Sequence, residues 1–509
     1  MATRAEDFPG RSAVAGAPPP PAARVRTAAL RSRAELRPGL VLAFFYAWAL
    51  AMARLIDVSE DGKAMLLFGA TFSIVAIFSA VARPRWYLLL VVAYLPFSKV
   101  YPLPLAGITG ANMTNLLIVL GPVAWLSRRA QGRSRLRLRF PEMLVLTFVA
   151  VASLSLVPAY SAGPGLGELA QTYRAWLAPI LFFFFARGLV RDREDVRAVL
   201  QVLAWVAFLV AANTWKEGID RGDRGSIDRS RVPGLMVQAN QMGAFLVYYG
   251  VPLLAFALSA RPRRKGLPYL LAFLFAARAT LFTFSRGAYM AMAGGAATVV
   301  LLANPLLLVA AGGAGAVAAV VHPSLIPQSI RERVGATASD QSMYEGENSQ
   351  VSLDRSNALR LVLWQGALRM ITEHPFVGVG VGRFQQLIRV YTDFPLKPED
   401  PHDAHNAFLL QAAEMGVPST LLLFLIFFVW GRTALRLRFR RRHPVDRRLA
   451  LAFLGTLAGV TLSCMFGSRF SDEALVGLFW MMGGLVVVVA RLREPPPLPR
   501  RRGLLRRVA

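Results

Sequence analysis

Residues 417–430 read VPSTLLLFLIFFVW and residues 431–448 read GRTALRLRFRRRHPVDRR, an uncharged apolar span running straight into an arginine-dense loop. This alternation recurs along all 509 residues, with 55% hydrophobic and 17% charged side chains, too apolar for an ordinary soluble chain. About 20 apolar residues in a helix cross the roughly 30 Å hydrocarbon core of a bilayer. A transmembrane β-barrel would show ten-residue alternating segments instead, and these are absent. The expected fold class is therefore an all-α polytopic membrane protein with about 12–14 transmembrane helices.

Outward from that stretch, the chain divides by composition. Residues 1–38 are rich in Ala, Pro and Arg and are expected to be a disordered basic cytoplasmic tail, with no cleavable signal ahead of the first span. Residues 39–321 are expected to form an N-terminal transmembrane bundle, with spans at 39–56, 64–82, 86–97, 111–127, 141–160, 173–187, 198–215, 240–259, 267–284, 288–303 and 305–321. The stretch YPLPLAGITG at 101–110 either lines a cavity or closes a tilted helix with a loop. A polar stretch, 322–406, is expected to be a loop domain facing the periplasm, since loops of this length are usually functional. Residues 407–490 hold the C-terminal transmembrane helices, with spans at 417–430, 449–466 and 474–490. Residues 491–509 form a second basic cytoplasmic tail.

The net charge of +28 sits almost wholly in short loops and tails, so it reads as the positive-inside signal and contact with anionic lipid headgroups, not as a nucleic-acid surface. With a cytoplasmic N-terminus and fourteen spans, the loops 128–139, 187–197, 260–266 and 431–448 and the C-terminal tail share the cytoplasmic side. The loops 57–63, 161–168, 216–239, 322–406 and 467–473 then face outward. No P-loop, dinucleotide fingerprint or transporter-type repeat is present, and the single Cys464 cannot form an intrachain disulfide.

Arginines on the outward side run against the positive-inside bias. Arg286, in TFSRGAYM (283–290), sits between two apolar spans and needs an anionic partner or a polar cavity, or else snorkels to the interface. Its planar fork suits phosphate oxygens. Arg231, in RVPGLMVQANQMGA (231–244), precedes a Pro-Gly turn and is a phosphate ligand or a solvated charge; Asn240 is expected to cap the helix that follows. His402 and His405 have no further ligands at a familiar metal spacing, so no metal site is expected. His405 at a helix start is a general base or a surface histidine.

The stretch RLVLWQGALRMITEHPFVGVGVGRF (360–384), followed by HNAFLLQAAEMGVPSTLLLFL (405–425), resembles the core of the bacterial O-antigen ligase and polymerase family. That family shows an Arg, a Trp four residues later, a Pro-x-x-Gly-x-Gly-x-Gly-x-Phe turn, then His-Asn, Leu and Glu-x-Gly. Here those are Arg360, Trp364, Pro375 through Phe384, His405, Asn406, Leu409, Glu414 and Gly416. The likeness extends to Arg231 and to Ser285-Arg286-Gly287, covering roughly 229–430, with Val237-Gln238-Ala239-Asn240 where the family often shows Pro-Asn.

The resemblance implies an inverting glycosyltransferase of the membrane-embedded C type in the bacterial inner membrane, working without metal or cofactor. It would move a glycan from undecaprenyl diphosphate to a hydroxyl acceptor at the periplasmic face. His405 and Arg286 would be catalytic, and Arg231, Arg360, Asn406, His402 and Arg383 would bind substrate. The acceptor would be lipid A-core for a ligase or a lipid-linked repeat for a polymerase. A transporter or flippase of an anionic lipid-linked substrate is the other class compatible with many spans and outward arginines.

Overall fold

The computed structural model describes residues 63–101, 103, 112–130, 138–163, 165–222, 230–321, 355–393 and 403–494. The expected N-terminal tail, the 39–56 span and all of the expected C-terminal tail beyond 494 lie outside the described residues, as do most of 101–110, the stretch 322–354 and His402. Helices α1 (Lys63–Ala82), α2 (Pro84–Tyr94), α3 (Met113–Ala130), α4 (Phe140–Ser153) and α5 (Leu156–Ser161) come first. Next are α6 (Leu166–Leu189), α7 (Arg193–Arg221), α8 (Ala239–Ser259), α9 (Leu267–Leu281), α10 (Arg286–Ala303) and α11 (Pro305–Val321). The last are α12 (Arg355–Glu373), α13 (Phe384–Leu387), α14 (Ala407–Arg440), α15 (Pro444–Cys464) and α16 (Glu473–Arg491).

The described residues form an all-α polytopic membrane protein without a β-sheet. Among the described residues eight helical segments, fewer than the 12–14 transmembrane helices expected for the whole chain, are long and apolar enough to cross a membrane: α4 continued through α5, then α6, α7, α8, α10, α14, α15 and α16. Each expected span within the described residues coincides with a helix, because an apolar backbone in hydrocarbon must satisfy its own N–H and C=O groups. Helices α8 and α16 are the most enclosed: α16 packs on α6, and α8 on α9, α10 and α15. Trp430 stacks on Phe183 at 5.2 Å between ring centres and meets Trp480 edge-on at 5.3 Å, giving this core a rigid aromatic centre. Outer helices carry exposed apolar side chains such as Phe78, Leu306, Val309 and Phe428. A soluble surface does not tolerate these, but lipid does.

Charged contacts sort the helix ends into two opposed sets. At one end, the buried carboxylate of Glu142 accepts from Arg187 and, at 2.6 Å, from Arg491. Arg193 forks onto buried Asp446 at 2.7 and 2.8 Å, Arg85 pairs with Asp195 at 3.3 Å, and Arg128 donates to the Gly188 carbonyl at 2.7 Å. The arginine-dense loops that the sequence assigns to one side thus meet at one end of the bundle. Glu142, Asp195 and Asp446 each lie in the first turn of a helix, where the backbone dipole also favours an anion. Removing one partner of such a buried pair costs about 3–5 kcal/mol.

At the other end, Lys99 bridges Gln241 and the α16 cap Asp472, while Arg174 donates to Asn115 at 2.6 Å. The candidate residues Arg231, Arg286, Arg360 and His405 belong to this second end, opposite the basic loops.

Candidate active site

Helix α14 runs for 34 residues but breaks at Gly416, whose φ of 79° and ψ of 160° are not helical. The sequence expectation of a span beginning at Val417 falls on this break. The preceding turns, from Ala407, form a short pre-membrane helix capped by Asn406, whose side-chain oxygen accepts from Phe408 N at 3.0 Å and Leu409 N at 3.2 Å. Asn406 therefore fixes the direction of α14 and holds the chain on which His405 sits.

The glycine-rich turn is docked against that break backbone to backbone. Val379 N donates to Ala413 O at 2.8 Å, Gly380 N to Glu414 O at 3.1 Å, and Val417 N to Pro375 O at 2.8 Å. The Glu414 carboxylate accepts from Phe384 N at 3.1 Å. A Cβ on Gly416 would lie 2.1 Å from Phe376 O, and one on Gly378 would lie 2.3 Å from the Glu414 carbonyl carbon, both at positive φ. These glycines serve close approach of two backbones. Their role is to seat the 355–393 segment on α14, and Leu363, Met370, Phe384 and Ile388 close the small core between them.

Trp364 lies one helical turn after Arg360 on α12, and its indole Nε1 donates to Ala404 O at 2.8 Å. The four-residue spacing thus sets the Arg360 guanidinium beside the loop that carries His405. His405 adopts a φ of 47°, a left-handed conformation uncommon outside glycine. Two other non-glycine residues with positive φ, Val237 and Phe284, flank the Arg231 and Arg286 segments. Backbone held in this way costs on the order of 1–3 kcal/mol each and clusters at functional sites.

Three arginines from separate parts of the sequence line one cavity of about 50 Å³, together with Asn240, Phe284, Ser285, Gly287 and Phe466: Arg231, Arg286 and Arg360. Since a water needs roughly 10–15 Å³ of such space, the cavity takes a few waters or one phosphate group, and a sugar has to lie outside it. Arg231 is clamped by Nε to Thr283 O at 3.1 Å and by Nη2 to Asn240 Oδ1 at 2.6 Å, and Val232 N donates to Phe282 O at 3.0 Å. Asn240 is thus a support for Arg231, and Gln238 takes the N-cap position of α8, contrary to the expectation from the sequence. Arg286 opens α10, so the positive end of that helix dipole adds to its charge. Gly287 admits Phe466, to which a Cβ there would approach within 2.8 Å. His405 and Arg383 are not among the cavity-lining residues. Arg383 precedes α13 in the glycine turn, and its Nε has no hydrogen-bond partner among the described residues.

His405 joins the cavity electrostatically. Burial pushes its imidazole below the ordinary histidine range; Asp403 pulls it back up, and the guanidiniums of Arg360 and Arg469 push it down again. Arg469, in the turn between α15 and α16, was not singled out from the sequence. It is buried, with 8% of its surface exposed, and its Nε has no hydrogen-bond partner among the described residues. Its neighbour Ser468 hydrogen-bonds to Asp403, which also accepts from His405 N at 3.2 Å. The one available signal was its place in the 467–473 loop, where an arginine on the outward side carries the same presumption as Arg286. Among the described residues, no group of three or more His, Cys, Asp or Glu side chains converges as a metal site would require.

Part of the chain matches an O-antigen ligase family model. Residues 271–424 match the family model of that description, from within α9 to the span of α14. No curated protein matches the chain. The matched stretch takes in Arg286, Arg360 and His405 and stops short of Arg231 on one side and Arg469 on the other. The resemblance read over 229–430 is thus matched over its greater part, and the RVPG segment lies beyond the match.

Proposed function

We propose that this protein is an inverting membrane glycosyltransferase of the C type that transfers a glycan from undecaprenyl diphosphate to a hydroxyl acceptor at the periplasmic face of the inner membrane. The observation that carries the reading is the cavity shared by Arg231, Arg286 and Arg360, in a chain whose residues 271–424 match an O-antigen ligase family model. The donor's diphosphate gains negative charge as it leaves, and fixed guanidiniums in a low-dielectric recess favour that charge most in the transition state. His405 takes the acceptor's proton. The hydroxyl oxygen then bonds to the anomeric carbon from the face opposite the diphosphate, and the carbon–oxygen bond to phosphate breaks with its electron pair leaving on the diphosphate. One displacement inverts the centre. The polyprenyl tail lies along the apolar helices, and the acceptor is lipid A-core or a second lipid-linked repeat.

The direct test is turnover of a synthetic polyprenyl diphosphate glycan by detergent-purified protein with each acceptor in turn. Transfer to lipid A-core makes it a ligase, transfer to a lipid-linked repeat a polymerase, and transfer to neither by folded protein overturns the reading. A base must be neutral to work, and a lowered imidazole pKa keeps His405 neutral to more acid pH. The acid limb of the pH–rate profile is therefore expected below the usual histidine range. Arg469→Gln removes one of the charges pressing the imidazole down, so that limb should move to higher pH. An unmoved limb would leave Arg469 with a packing role alone.

A further inference from the structure

The opposite end of the bundle holds a second recess of about 20 Å³ between α7, α8, α9 and α15. Leu200, Phe256 and Val445 give it apolar walls, and Arg197, Arg448 and Tyr269 bring two guanidiniums and a phenol to it. Arg448 lies in the second turn of a membrane-spanning helix, half-buried. Its Nε is buried without a hydrogen-bond partner, and no carboxylate pairs with it among the described residues. The carboxylates nearby are committed elsewhere. Asp446 accepts both nitrogens of the Arg193 fork at 2.7 and 2.8 Å, and Asp195 serves Arg191 at 3.1 Å and Arg85 at 3.3 Å.

A half-buried guanidinium with its Nε closed off from water, lining one recess with a second guanidinium, costs free energy unless an anion joins the two. Leu or Met would fill the same space without that cost. The loop between α8 and α9, at the same end of the bundle, carries the exposed Arg261, Arg263, Arg264 and Lys265. Two planar forks and a hydroxyl donor suit the oxygens of a phosphate. The recess has room for little more than those oxygens, so any ester substituent stays outside it, against the apolar walls.

We propose that Arg197, Arg448 and Tyr269 form a binding site for a phosphate group, held as the headgroup phosphate of an anionic phospholipid. The bound phosphate draws α7 and α15 together by neutralising the two cations. It is separate from the cavity of Arg231, Arg286 and Arg360, at the other end of the same helices, and its occupancy can be read without any glycan transfer.

The test uses the delipidated full-length protein in non-ionic detergent, titrated with phosphatidylglycerol, phosphatidylcholine or inorganic phosphate. Native mass spectrometry reads the bound ligand and the thermal midpoint reads stability. Phosphatidylglycerol is expected to bind and raise the midpoint, with little effect of phosphatidylcholine. Loss of the charged hydrogen bonds in R448Q should weaken binding about tenfold or more, and R197Q about fivefold. Arg197 is exposed, so R197Q keeps the test decisive should R448Q fail to fold. Equal stabilisation by inorganic phosphate, lost in R197Q, would keep the phosphate site but overturn the lipid as its source. Phosphatidylglycerol binding unchanged in R197Q and in folded R448Q would overturn the proposal.

Discussion

Arg286→Ala is expected to lower glycan transfer by about 10²- to 10³-fold, the usual effect of removing one preorganised group that stabilises developing negative charge. Arg286 sits at the first position of α10 and lines the cavity with Arg231 and Arg360. Removing it takes away both a charge and the only charged side chain that α10 itself gives this cavity. Arg286→Lys keeps the charge but loses the planar fork, and should recover part of the rate. Because Arg286 is half-buried and not part of the interior apolar packing, both variants should insert and elute from size exclusion as the native protein does. Native transfer rates in purified Arg286→Ala would sink the assignment of this cavity to the leaving diphosphate.

Replacing His405 is expected to cost about 10²- to 10⁴-fold, the range for loss of a positioned general base. Alanine is a poor probe here, since at a φ of 47° it adds backbone strain to the loss of the imidazole. Asparagine tolerates the left-handed region and carries no base. His405→Asn should therefore fold as well as the native chain and still fail to transfer, with donor binding retained because the arginine cavity is untouched. A His405→Asn variant that transfers at the native rate would remove the imidazole from the chemistry.

Helix α14 shows how far the sequence could be read. The apolar run from Val417 and the arginines after Trp430 sufficed to place a span and its basic end, because hydrocarbon imposes a length and headgroups impose a charge bias on each segment separately. The same reasoning sorted the basic loops to one end, where Glu142 pairs with Arg187 and Arg491, Arg128 reaches Gly188 and Arg193 reaches Asp446. The glycine turn was harder. In Gly378-x-Gly380-x-Gly382, Gly378 and Gly380 closely approach the backbone of α14 and α5, Gly380 with Ala159 N at 2.6 Å from an added Cβ, while Gly382 approaches the Thr172 side chain of α6. Nothing local to the turn distinguishes a backbone from a ligand as the thing approached.

By itself the sequence determined an all-helical membrane chain, its spans, the common side of its basic loops, and the residues Arg231, Arg286, Arg360 and His405 worth following. Only the tertiary structure decided that the three arginines share one cavity, that Asn240 supports Arg231 instead of capping α8, that Asn406 is spent on capping α14, and that Arg469 acts on His405. The division has a physical basis. Spans and loop charges are set by the exchange between each segment and its solvent, whereas a site made from residues as far apart in the chain as Arg231 and Arg469 exists only once packing has brought them together.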